Sequence, residues 1–147
     1  MKFYHLALAT LVFTLLLATP SGAQTQVWQY TALGDSLAYG MNDSQGGYVT
    51  RFRNHVQADT GATVNVINRG VPGWTSADLL YALRTDESLR AQIANSQIVT
   101  WDIGGNDFLD ALDRYRSGAC GGADNQDCVR ATVANFKANW NAIIAQI

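Results

Sequence analysis

Apolar residues along the chain form two kinds of segment, which predict strands and helices in alternation. Residues 28–33, 63–67 and 98–103 are short, almost uninterrupted apolar runs, a pattern that favours strands covered on both faces of a sheet. Between these runs, apolar residues recur every three or four positions, as on one face of a helix. The alternation indicates a single α/β domain with a parallel sheet and helices on both faces.

The predicted helices carry their own boundary signals. Residues 48–60 form the first helix, and Gly61 follows as a natural stop. Thr75-Ser76-Ala77-Asp78 resembles a capping box and opens a second helix, while a third covers about residues 86–95. The apolar residues on their buried faces are Val49, Phe52, Val56, Leu79, Leu80, Leu83, Leu89 and Ile93.

The last predicted helix begins at Asp127 and has no clear end. Its apolar residues are spaced by threes and fours on one face: Val129, Val133, Phe136, Trp140, Ile143, Ile144 and Ile147. No terminating Gly, Asn or Pro and no polar tail follows them. We therefore expect the sequence to stop inside an element, as a fragment or an incomplete gene model would.

Residues 1–23 predict a secretory signal peptide, which makes residues 24–147 the mature domain and the protein an exported one. Lys2 supplies positive charge, residues 6–18 form an almost unbroken apolar run, and Ser21-Gly22-Ala23 offers small residues for cleavage. The alternative is a membrane anchor, but this run of about thirteen apolar residues is short against the roughly 20 that span a bilayer. We therefore expect no stable membrane span.

Charge and cysteine content narrow the classes of partner. Once Lys2 has left with the signal peptide, nine Lys and Arg face twelve Asp and Glu, a net charge of −3. No basic cluster indicates a nucleic-acid partner.

Cys120 and Cys128 are the chain's two cysteines, and in an oxidising compartment we expect them to form a local disulfide. A zinc site would need more ligands than this loop offers.

Three loops follow the three predicted strands. They are Gly34-Asp35-Ser36, residues 68–76 and residues 102–108, and in a parallel sheet they emerge at one edge. A hydroxyl, a glycine-bearing turn and an amide side chain at one edge suit acyl transfer. The hydroxyl attacks a carbonyl carbon, and N–H groups hold the oxyanion that develops.

These three loops carry a family resemblance. Gly-Asp-Ser-Leu, then Asn-x-x-x-x-Gly-x-Thr, then Gly-Gly-Asn-Asp, over about residues 30–110, closely resembles the SGNH (GDSL) hydrolases. The resemblance implies a three-layer α/β/α, flavodoxin-like fold with five parallel strands, of which three are readable here. It also implies a serine esterase, lipase or carbohydrate deacetylase that needs no metal or organic cofactor.

The resemblance assigns a role to one residue in each loop. Ser36 would be the nucleophile and, through its own N–H, an oxyanion donor; the N–H of Gly73 and the side-chain amide of Asn106 would be the other donors. Taken alone, Ser36 is a common turn or cap residue, and Gly73 after Pro72 is a common type II turn. Gly70 competes with Gly73 for its role.

Several neighbouring side chains have open alternatives. Asn106 and Asp107 could each cap the helix that follows. Asp35 is predicted to bond nearby backbone rather than to act as a triad acid, since adjacent side chains on an extended segment point apart. Tyr39 and Trp74 could line the substrate pocket or simply pack, and Trp101 has the same two alternatives.

One part of the family pattern is not found in this sequence. The SGNH hydrolases carry Asp-x-x-His close to the C-terminus, and no Asp-x-x-His occurs here. His5 lies in the predicted signal peptide, and His55 is predicted on a solvated helix surface. We therefore expect the chain as given to be nearly inactive, with exposed apolar sheet and an unpaired edge strand that favour aggregation.

The sequence thus favours an exported serine ester hydrolase with an acyl-Ser36 intermediate. Its substrate would be an ester, either a lipid or an acylated carbohydrate, without a preference between them. The alternative is a non-catalytic, degenerate binding module that keeps the pocket but not the base. Nucleotide binding is disfavoured because no G-x-G-x-x-G follows the first strand.

Overall fold

The computed structural model describes residues 25–147, which form three strands and six helices. The strands are β1 (Val27–Gly34), β2 (Thr63–Gly70) and β3 (Ile98–Asp102). The helices are α1 (Ser36–Tyr39), α2 (Gly47–Thr60), α3 (Ser76–Thr85), α4 (Glu87–Ala94), α5 (Gly105–Arg116) and α6 (Asp127–Ile144). The predicted signal peptide, residues 1–23, lies outside the described residues.

The sheet is parallel, in the order β2-β1-β3. Its register pairs Gly34 at the end of β1 with Gly70 of β2 on one side and with Asp102 of β3 on the other. The carboxyl ends of all three strands therefore lie at one level. The predicted parallel sheet and its shared edge are confirmed.

The two faces of the sheet carry separate cores because side chains of β1 alternate between them. Tyr30 and Ala32 pack with Val49 of α2 on one face. Leu33 points to the other face, where α3, α4 and α6 supply most of a larger cluster: Leu79, Leu80, Leu83, Leu89, Ile93, Ile103 and Ile143. Helices thus cover both faces, as the three-layer prediction required.

Local signals place the helix ends where the sequence predicted them. Gly61 ends α2 in a left-handed conformation, with φ of 70°. At the start of α3, the N–H of Thr75 donates to Asp78 at 2.9 Å, and Asp78 N–H donates back to the Thr75 hydroxyl at 3.4 Å. Both halves of the capping box are therefore present.

Two expectations need correction in detail. The third loop was expected to extend from residue 102 to residue 108, but β3 ends at Asp102 and α5 already begins at Gly105. The predicted apolar face of α6 is only partly covered: Ile143 is fully buried, whereas Val133 and Ile144 are about half exposed. A helical repeat identifies a face, but packing by neighbouring elements decides whether that face is buried.

The cysteines are bonded to each other, as expected. The Cys120–Cys128 disulfide closes a loop between α5 and α6, with the two Cα atoms 4.8 Å apart. It packs on Ala111 of α5 and tethers the N-terminal turn of α6. Among residues 25–147, no helix is both long enough and apolar enough to cross a bilayer.

Candidate active site

Ser36 follows a tightly packed junction at the end of β1. Gly34 has φ of 139°, a conformation that favours glycine, and a Cβ there would overlap the carbonyl oxygen of Asp102. That same carbonyl accepts the N–H of Asp35 at 3.1 Å. The chain then turns directly into α1, so Ser36 occupies the first position of a single helical turn. Its N–H has no hydrogen-bond partner among the described residues.

Asp35 supports this turn through its side chain. Asp35 is only 4% exposed, and its Oδ1 accepts the N–H of Leu37 at 2.9 Å. The prediction that Asp35 bonds nearby backbone is therefore confirmed. Its other oxygen faces Gly105 at the start of α5, so the Asp35 carboxylate lies between the first and the third loop.

Asn68, near the end of β2, links the start of the second loop to α1. Its side-chain NH₂ donates to the carbonyl of Ala38 at 2.7 Å, and its Oδ1 accepts the N–H of Gly70 at 2.9 Å. A Cβ on Gly70 would overlap the backbone nitrogen of Tyr39. The N–H of Gly70 is thus engaged and enclosed, which favours Gly73 over Gly70 as the donor of this loop.

Gly73 lies at the open end of the same loop. Its φ is 87°, and the N–H of Trp74 donates to the Val71 carbonyl at 3.2 Å, as in a type II turn. Gly73 is exposed, and no atom lies within 4 Å of the position a Cβ would take. Its N–H has no hydrogen-bond partner among residues 25–147, so the turn and the donor role are compatible.

Asn106 links the third loop to the second. It is the second residue of α5, and its side-chain NH₂ donates to the carbonyl of Trp74 at 2.7 Å. One of the two amide hydrogens is thereby used, and the other is left for a ligand. Neither Asn106 nor Asp107 caps α5: the N-cap is Gly104, and no side chain bonds to it. Asp107 bonds to Ser76 at the start of α3 instead.

The aromatic residues near the loops differ in how far they are packed. Tyr39 is 59% exposed on α1. Trp74 packs against the larger core, and Trp101 lies against Trp140 with ring centroids 5.8 Å apart. Packing is therefore present for both tryptophans, while a ligand contact by Tyr39 or Trp74 stays a prediction.

A cleft of about 320 Å³ lies beside α1 and brings ionisable groups together. Its lining residues include Leu37, Met41, Asp43, Tyr48, Arg51 and Asp102. Burial, and then the neighbouring Asp35 carboxylate, raise the pKa of Asp102. Burial also raises the pKa of Tyr48 to about 12, an effect that a Thr100 contact reduces and Asp102 and Asp35 reinforce. Burial is thus the main cause of both shifts.

Within residues 25–147 the one histidine is His55, which is exposed on α2, as predicted. Among residues 25–147 no three His, Cys, Asp or Glu side chains are grouped to hold a metal ion. The contacts that Asn68 and Ser76 make with distant residues were not predicted, because such contacts leave no local pattern in the sequence.

Comparison with known proteins identifies a family and relatives that resemble this chain. Residues 32–147 match the model of the GDSL-like lipase/acylhydrolase family. The chain is 30% identical over 89 residues to the spore germination lipase LipC of Bacillus licheniformis, a match that covers 59% of this chain and 42% of LipC.

Two solved structures show the same fold. The lipase Lip_vut3 from a goat rumen metagenome has a TM-score of 0.71 at 23% identity, over 81% of this chain and 55% of that one. A possible lipase from Chitinophaga pinensis has a TM-score of 0.50 at 22% identity, over 82% and 43%. The chain thus spans about half the length of the relatives it matches. Since the family model covers most of the sequence, the chain belongs to the GDSL-like lipase/acylhydrolase family.

Proposed function

We propose that residues 25–147 carry the nucleophile and the oxyanion donors of a serine ester hydrolase. One observation carries the proposal: the three parallel strands end in register at one edge of the sheet. The loops that follow two of them are also linked, because the side-chain amide of Asn106 donates to the Trp74 carbonyl at 2.7 Å. The Ser36 hydroxyl attacks the ester carbonyl carbon, and the developing oxyanion accepts hydrogen bonds from Ser36 N–H, Gly73 N–H and the Asn106 amide. Collapse expels the alcohol, and water then releases the acyl group from Ser36.

The reaction needs a base for the Ser36 proton. The family resemblance implies a histidine from an Asp-x-x-His motif, which this sequence lacks. Removing a triad member from a serine protease still leaves roughly 10³–10⁴-fold catalysis over water, from the oxyanion hole and binding. We therefore expect the chain as given to acylate Ser36 slowly.

A fluorophosphonate probe tests the proposed nucleophile. We expect one probe per chain, located at Ser36 by peptide mass spectrometry, with no label in Ser36→Ala. Ser44→Ala is the matched control, because Ser44 is exposed in the neighbouring loop. Imidazole carries the ring that histidine uses as a base and is expected to accelerate labelling. Equal labelling of wild type and Ser36→Ala contradicts the proposal; ester binding without any label favours a non-catalytic module.

The substrate class that we propose is an ester of a lipid or of an acylated carbohydrate. Family membership and the similarity to a protein named a lipase support this choice. A panel of p-nitrophenyl esters of increasing chain length, with acetylated xylan alongside, tests it. With imidazole present, slow turnover that depends on Ser36 is expected for at least one member, and turnover that is equal in wild type and Ser36→Ala contradicts the proposal.

We also propose that the protein is exported after cleavage of residues 1–23. The Cys120–Cys128 bond supports this location, since disulfides persist mainly in oxidising compartments. N-terminal sequencing of protein recovered from the medium should begin at Gln24. A mature protein that still begins at Met1 contradicts the proposal.

A further inference from the structure

We infer that Ser76 and Asn139 are positioning residues that hold the oxyanion donors Asn106 and Gly73 in place. This inference rests on the proposed function for the role of the donors. Ser76 and Asn139 belong to α3 and α6. They act through Asp107, the residue next to Asn106.

Ser76 and Asp107 are joined at two points. The carboxylate of Asp107 accepts the Ser76 N–H at 2.8 Å and the Ser76 hydroxyl at 2.5 Å. Because two different carboxylate oxygens are used, the side chain can neither slide nor rotate without breaking a bond. Charge-assisted bonds of this kind are roughly twice as strong as neutral ones.

Asn139 fixes the direction of the Ser76 hydroxyl. Its side-chain NH₂ donates to the Ser76 oxygen at 2.9 Å, so the single hydroxyl hydrogen is directed to Asp107. Ser76 is fully buried, and a buried network strengthens its bonds only while every member is satisfied. Loss of Asn139 would therefore weaken the grip on Asp107.

The same two chain segments are joined a second time at the proposed oxyanion site. Asp107 follows Asn106, whose amide donates to the Trp74 carbonyl at 2.7 Å, and Trp74 lies between Gly73 and Ser76. The Asp107–Ser76 and Asn106–Trp74 contacts are therefore adjacent links between the first turn of α5 and the segment that leads into α3. Two links fix the relative orientation of these two segments, whereas a single link would leave them free to rotate.

Helix α6 supports this arrangement from behind. Phe136 packs so closely on Gly104, the N-cap of α5, that a Cβ on Gly104 would overlap its ring. Trp140 packs on Trp101 of β3. Phe136, Asn139 and Trp140 are spaced three and four residues apart on one face of α6. This face of α6 thus supports the third loop in two ways. Phe136 makes an apolar contact with Gly104, and Asn139 makes a polar link to Asp107 through Ser76.

The test compares variants of Asn139 in α6 and of Ser76 in α3. For each protein it measures the rate at which the probe phosphonylates Ser36 with imidazole present. Removing one oxyanion donor costs about 10²–10³-fold, and a loosened donor costs less. We expect Asn139→Ala to lower the maximal labelling rate about tenfold while the half-saturating probe concentration stays unchanged. Ser76→Ala should do the same, and the double variant should be less than additive, since both residues act as one unit.

Two controls separate positioning from loss of stability. Asn141→Ala removes an exposed asparagine from the same helix and should leave the rate unchanged. Val64→Ala truncates a buried residue in the core on the other face of the sheet; it should lower the melting temperature but not the rate. If Val64→Ala slows labelling as much as Asn139→Ala at a similar melting temperature, the proposal is overturned.

A spectroscopic readout separates this inference from the proposed function. The side-chain amide of Asn106 should give one sharp pair of NMR signals in the wild type. These signals should shift or broaden in Asn139→Ala and not in Asn141→Ala. Unchanged signals in Asn139→Ala overturn the positioning role. A wild-type protein that never labels at Ser36 refutes the proposed function instead, whatever the amide signals show.

Discussion

The turns at the ends of β1 and β2 use glycine in two different ways. At Gly34 and Gly70 the space of a side chain is already taken, by the Asp102 carbonyl and by the backbone of Tyr39. At Gly73 nothing lies within 4 Å of the position a Cβ would take. The first pair forms a closed junction at the ends of β1 and β2, whereas Gly73 forms an open turn in the loop after β2.

The two kinds of glycine therefore differ in what surrounds them: packed backbone in the closed junction and free space in the open turn. In the closed junction, backbone groups bond one another, as Val71 N–H does to the Gly34 carbonyl at 2.9 Å. In the open turn, the Gly73 N–H has no hydrogen-bond partner within the described part of the chain, and the position of a Cβ is free. Glycine thus permits close packing at one point and leaves a backbone N–H without a partner at another, the N–H that we propose as an oxyanion donor.

Substitution in the closed junction should cause the largest loss in the free energy of unfolding. We expect Gly34→Ala to lower the free energy of unfolding by more than about 3 kcal/mol. Strained backbone costs about 1–3 kcal/mol and overpacking against the Asp102 carbonyl a similar amount. Urea unfolding of both proteins measures the difference. A loss below about 1 kcal/mol would show that the junction is not closed.

The same substitution in the open turn should cost less. For Gly73→Ala we expect a loss of about 1–2 kcal/mol, the cost of left-handed backbone for a residue with a Cβ. There is no overpacking to add, and the N–H remains. If Gly73→Ala proved as destabilising as Gly34→Ala, the contrast between the two turns would be wrong.

The smallest expected effect concerns Tyr48, beside the closed junction. Its pKa is about 12 in the folded protein against an ordinary 10.0, so the fold binds this proton more tightly than the unfolded chain does. The resulting stability is fully present below pH 10 and is lost as pH rises through 12. In Tyr48→Phe this loss should be reduced by about 1 kcal/mol, less than the full shift implies, because the residue is only partly buried.

Unfolding free energies between pH 9 and pH 12 test this. Tyr81→Phe is the matched control, since Tyr81 is 70% exposed on α3, and its curve should follow that of the wild type. A Tyr48→Phe curve that also follows the wild type would contradict the burial of the Tyr48 hydroxyl in the folded protein.

Much of the fold could be predicted because its signals are local. Alternation of apolar runs predicted the strands, and the motif from Thr75 to Asp78 predicted the start of α3. Adjacent glycines concealed the start of α5, because Gly104 and Gly105 are poor helix formers and here the N-cap has no side-chain bond.

The links that shape the candidate site could not be predicted in the same way. Asn139 and Ser76 are 63 residues apart, and Asn68 and Ala38 are 30 apart. Nothing in the spacing of these residues indicates that they meet. Such contacts follow from how helices pack on the sheet, which periodicity alone does not determine.

A crystal structure of the protein phosphonylated at Ser36 tests the central idea most directly. The phosphoryl oxygen occupies the place of the proposed oxyanion. We predict this oxygen within about 2.7–3.1 Å of both the Asn106 side-chain nitrogen and the Gly73 backbone nitrogen. An oxygen that points away from both, with each nitrogen more than about 4 Å distant and outside hydrogen-bond range, would contradict the account.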